Sequence, residues 1–122
     1  KKMKPVFQFT NTKGVKYEIF FRKPHKSNGY ADGLCEDPVE AKANYNPRIY
    51  INPYLTKKTE LNTCIHEIAH AFFWDKSETD ITRFADVVSN FLYQNGWRLP
   101  QRKFHAPPRK KSNGSRKRKT KD

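Results

Sequence analysis

The chain has 122 residues, carries 25 Lys/Arg against 12 Asp/Glu for a net charge of +13, and is only 35% apolar. Such a length supports one modest core, and no apolar run reaches the roughly 18 residues of a membrane span. Two cysteines are too few for a disulfide framework, so reduced thiols inside a cell are expected: the cytoplasm of a bacterium or its phage, or the nucleus of a eukaryote.

Val6 to Thr10 alternates, Asn11-Thr12-Lys13-Gly14 is a turn, and Val15 to Phe21 is rich in β-branched and aromatic residues. These read as an antiparallel hairpin. Pro24 to Gly29 is a polar loop. Tyr30 to Cys35 and Arg48 to Ile51 read as two more strands, separated by a loop with Pro38, Asn44, Asn46 and Pro47. Pro53 closes the last strand.

Thr56 to Trp74 then reads as one helix, capped by Thr56 or Thr59. Leu61, Ile65, Ile68 and Phe72, with Cys64 and Ala69 beside them, form its apolar stripe. Ser77 starts a second helix, with an acid three residues on as in a capping box. Its apolar positions Ile81, Phe84, Ala85, Val88, Phe91 and Leu92 predict one buried face. Asn95-Gly96 ends it, and Trp97 and Leu99 are expected to fold back onto the core.

Residues 1–100 form the expected domain, with fifteen Lys/Arg against eleven acids. Residues 101–122 are a basic tail, ten against one, with no aliphatic or aromatic residue after Ala106. That composition cannot bury enough surface to fold. Residues 109–121 suit non-specific contact with nucleic acid through counterion release, or with another acidic surface.

The chemistry-bearing motif is His66-Glu67-Ile68-Ala69-His70, an HExxH on the first helix. Residues four apart lie one turn above each other on the same face, so both imidazoles can close on one Zn²⁺. Glu67 beside them can act as general base toward a metal-activated water. The plainer alternative is a surface His pair with a solvated Glu. The separate apolar stripe weighs against it, because burial of the helix does not need the histidines.

A catalytic zinc holds three protein ligands and keeps one position open. Cys64 lies two residues before His66, about 200° around the helix, and belongs to the apolar stripe. His25 sits in a loop and His105 in the tail. An acid opening the second helix is the better third ligand. Glu78 is favoured because it continues the inward face and has the longer reach across an interhelical gap of ~8–10 Å. Asp80 is the alternative. Both could instead be helix-start acids answering the macrodipole.

The run Arg48-Ile49-Tyr50-Ile51-Asn52-Pro53, the HExxH, the Ser-Glu helix start and Asn95-Gly96-Trp97-Arg98 together resemble the small phage and bacterial zincins. These are minimal gluzincin-like metallopeptidases, related in layout to SprT/Spartan-type proteins. The resemblance spans roughly residues 45–99. It implies a small α+β fold, with an antiparallel or mixed sheet of about four strands packed on the HExxH helix and a second, C-terminal helix. It also implies an edge strand, Tyr30 to Cys35 or Arg48 to Ile51, that pairs with an extended peptide. The chain has neither a third His placed after His70 as in SprT-type proteins nor a CxxC pair.

The expected function is a zinc peptidase acting on a protein or peptide. Tyr30, Tyr45, Tyr50 and Tyr54 are positional candidates for oxyanion stabilisation. The alternative is a zinc-stabilised, non-catalytic module that binds DNA or protein.

Overall fold

The computed structural model describes residues 4–24, 31–39 and 46–100. Four strands, β1 (Phe7–Thr10), β2 (Lys16–Phe21), β3 (Gly33–Cys35) and β4 (Arg48–Ile51), precede two helices, α1 (Lys57–Phe72) and α2 (Glu78–Gln94). The expected α+β class is what the chain adopts. The sheet is mixed, in the order β1-β2-β4-β3. β1 and β2 form the antiparallel hairpin, β2 pairs parallel with β4, and β3 pairs antiparallel with β4.

Alternation along the strands decides which face is buried. Tyr17, Ile19 and Phe21 of β2 lie on one face beside Ile49 and Ile51 of β4, and all five are buried. The parallel register aligns Ile19 with Ile49 and Phe21 with Ile51. Cys64 and Ala71 close this core from α1, with Phe9, Ile68 and Leu99 packed around it. Phe9 stacks on Tyr17 at 5.4 Å and on Phe72 at 5.6 Å, so the hairpin and α1 share one aromatic layer. Ile49, fully buried, is the simplest probe of this core. Ile49→Ala is expected to cost about 2–5 kcal/mol in denaturant unfolding.

Side-chain caps fix where the helices begin. Thr56 Oγ1 accepts from the Thr59 N–H at 3.3 Å and Ser77 Oγ from the Asp80 N–H at 3.1 Å. α2 ends in a Schellman pattern, with Gly96 N–H on Tyr93 O and Trp97 N–H on Leu92 O. Gly96 has φ 91°, a left-handed turn that glycine takes without steric cost.

Two expectations about α2 need correction. Ile81 and Ala85 are buried, but Phe84 is 44% exposed and Phe91 62%. The apolar arc of α2 is wider than the strip α1 covers, so its outer edge faces solvent. Trp97 is likewise 62% exposed and does not return to the core, whereas Leu99 does.

Candidate metal centre

α1 runs under β3 and is joined to α2 by residues 73–77, so the start of α2 returns beside the end of α1. Asn62 locks the pair farther along, donating 2.9 Å hydrogen bonds from Nδ2 to Asp86 Oδ1 and Ser89 Oγ. That return carries Glu78 to the histidines. His66 Nε2 and His70 Nε2 stand 3.2 Å apart. Glu78 Oε2 lies 3.0 Å from His66 Nε2, and Glu78 Oε1 lies 3.0 Å from His70 Nε2.

The donor atoms of His66, His70 and Glu78 all fall within 4.8 Å of one another, and this is the one such group found among the described residues. Zinc–nitrogen bonds of about 2.0–2.1 Å in a tetrahedron separate neighbouring donors by about 3.3 Å. The observed spacings match that edge. Two imidazole nitrogens and a carboxylate are also a donor set of the kind catalytic zinc uses, so these residues fit the ion. Asp80 is not in the group. It is exposed two residues farther along α2, about 200° around the helix, and its own N–H is held by Ser77.

Electrostatics support the same use. Burial, and next the neighbouring His66, push the His70 pKa below its ordinary value, with Glu78 opposing. A lowered pKa keeps the ring neutral and its lone pair free near neutral pH. Glu67 is only 8% exposed. Burial, and next the charge of Glu78, raise its pKa from 4.5 to about 7.

The raised pKa has a consequence for the metal-free protein. Between about pH 4.5 and 7 the folded carboxyl holds its proton while the unfolded one has lost it. Stability therefore falls as pH rises through that window, by up to about 3 kcal/mol from this group. Metal-free Glu67→Gln should accordingly melt above wild type at pH 8 and level with it near pH 4. An equal difference in Tm at both pH values would contradict the burial of this charge.

These groups line one open cleft of about 540 Å³. Ala31 to Cys35 form one wall, Asn62, Thr63, His66, Glu67 and His70 the other, and Trp74 and Glu78 complete it. Neither Tyr50 nor Tyr54 lines it: Tyr50 accepts from Arg48 on the opposite sheet face and Tyr54 borders a separate groove. Tyr30, Tyr45, His25 and His105 lie outside the described residues, as does the 101–122 tail.

Cys35 was not a candidate from sequence, yet it lines the cleft. Its thiol pKa is pushed well up by burial and then by the charges of Glu67 and Glu36. It should therefore react with iodoacetamide at pH 8 more slowly than a free cysteine, measured by mass spectrometry.

The two strands named as candidate edges differ in their pairing. β4 is paired on both sides, so Arg48–Ile51 has no free edge, whereas β3 is the outer strand and borders the cleft. An HExxH helix beneath an edge strand, with an acid returned from the next helix, defines a small zincin-like metallopeptidase domain. The chain belongs to the Peptidase M78 family: residues 13–91 match its IrrE N-terminal-like domain. That match bears on the zincin resemblance and says nothing of a SprT/Spartan-type relationship. Comparison with curated proteins and with solved structures gives no match.

Proposed function

We propose that this protein is a zinc-dependent peptidase whose ion is held by His66, His70 and Glu78. The carrying observation is the convergence of three donors at 3.0–3.2 Å beside a separate, buried carboxylate. When bound, zinc supplies Lewis acidity that brings the pKa of a water to about 7 and polarises a carbonyl.

The remaining work falls to the chain. Glu67 takes the proton of the attacking water and passes it to the leaving amine, as a carboxylate beside the ligands and outside the donor set can do. β3 offers its outer backbone edge, unpaired among the described strands, to an extended peptide, which would lie along the cleft by strand addition. His66 and His70 are fixed by α1, and Glu78 by the Ser77 cap and the Asn62 link between helices.

Hydrolysis of fluorogenic casein should be abolished by 1,10-phenanthroline and restored by added Zn²⁺. Hydrolysis that survives complete removal of metal would end this reading. The basic residues 109–121 are proposed as a non-specific nucleic-acid contact. Eight Lys/Arg fall in that stretch, enough for a salt slope of up to about seven in log K against log[salt]. Truncation at Ala106 should flatten that slope in a fluorescence anisotropy titration.

A further inference from the structure

Gly33 opens β3 on the face that meets α1, in register with the buried Ile51. A Cβ built there would lie 2.7 Å from Thr63 Cγ2, 2.8 Å from Glu67 Oε2 and 3.0 Å from Glu67 Cγ. Carbon atoms in good contact sit about 3.5–4.0 Å apart, so no side chain fits without a displacement. Gly33 is not among the glycines with positive φ. Space explains the glycine here, and backbone conformation does not.

We propose that Gly33 is a positioning residue for the general base, an inference that rests on the peptidase reading. The bare Cα of the edge strand is the wall against which the Glu67 carboxylate is set. The three atoms nearest an added Cβ belong to Thr63 and Glu67, and none to His66, His70 or Glu78. A methyl at this position therefore meets the base before it meets a ligand.

The response of each neighbour follows from its chemistry. Glu67 Oε2 ends a flexible side chain, and an off-rotamer shift costs only about 0.5–1.5 kcal/mol. Thr63 has a second helical χ1 rotamer to move into. The fold can thus absorb the methyl cheaply by turning Thr63 and moving the carboxylate. Catalysis cannot, since a misplacement of about 1 Å costs on the order of 10²-fold in rate.

The test uses the full chain with zinc bound and fluorogenic casein as probe. Gly33→Ala should lower kcat about 10²-fold, with KM within about twofold. Zinc affinity, read by chelator competition, and zinc stoichiometry should stay at wild-type values. Adding Gly33→Ala to Glu67→Gln should cost nothing further, because both act through one group. Thr63→Ser, which removes the nearest methyl, should restore part of the lost kcat. Wild-type kcat in Gly33→Ala, loss of zinc, or full additivity with Glu67→Gln would each overturn the proposal.

Failure of the peptidase reading looks different: wild-type protein with zinc bound would hydrolyse no casein. The contact itself then stands or falls on nuclear Overhauser effects between Gly33 Hα and Glu67 Hγ in wild type. Their absence would refute it without any assay of activity.

Discussion

Glu67→Gln should lower kcat by about 10²–10⁴-fold while the protein keeps its zinc, since a positioned general base is worth that much. The substitution preserves shape and removes only the ability to accept a proton. It leaves the donor group of His66, His70 and Glu78 untouched, because the Glu67 carboxylate is not part of it. Burial also makes the change mild for the fold: a neutral amide is easier to hold at 8% exposure than an ionised acid. Metal content by atomic absorption, measured beside casein hydrolysis, separates the two roles. If kcat stays within tenfold of wild type, Glu67 is not the base. If zinc is lost with activity, Glu67 serves the metal and the assignment of roles is wrong.

What the sequence shows of this site is the part that depends on one helix. HExxH spaces two histidines by four residues, and α1 alone then brings their Nε2 atoms to 3.2 Å. Glu78 required a second step, that a cap at Ser77 starts a helix packed against the first, and this too is read from local signals. β4 was legible to the residue for the same reason, being bounded by Pro47 and by Asn52-Pro53. The strand order was not legible. Nothing near Lys16–Phe21 says that it pairs parallel with Arg48–Ile51, and that pairing, with β3 on the other side of β4, sends β3 to the edge of the sheet.

Long-range proximity hides in the same way at Gly33. Its constraint comes from residues thirty or more positions later, although an isolated glycine in a strand pattern is a recognised mark of close backbone approach. The α2 error has another cause. Periodicity locates the apolar arc, but only the neighbouring element decides how much of it is covered. α1 covers Ile81 and Ala85 and leaves Phe84 and Phe91 at the surface.

Glu78 and Asp80 stand two residues apart in sequence, and zinc affinity should tell them apart more sharply than any assay of rate. A structural four-ligand zinc site is worth about 10–16 kcal/mol, so one ligand carries roughly 2.5–4 kcal/mol, or on the order of 10²–10³-fold in Kd. Glu78→Gln should therefore weaken zinc by that factor, and Asp80→Asn by less than about threefold. The same ion would join α1 to α2, so binding also couples to folding. At a thousand times Kd, zinc should stabilise the protein by about 4 kcal/mol, which in a domain of this size raises Tm by on the order of 15–30 °C. Glu78→Gln should lose most of that gain at the same zinc concentration, because the two histidines that remain lie on one helix and tie nothing across the interface. Ser77→Ala offers a graded control. It removes the cap that starts α2 at a cost of about 1 kcal/mol, loosening the segment that presents Glu78 without touching a donor. A wild-type response to zinc in Glu78→Gln, or its loss in Asp80→Asn, would move the third ligand off Glu78 and with it the geometry on which the peptidase reading rests.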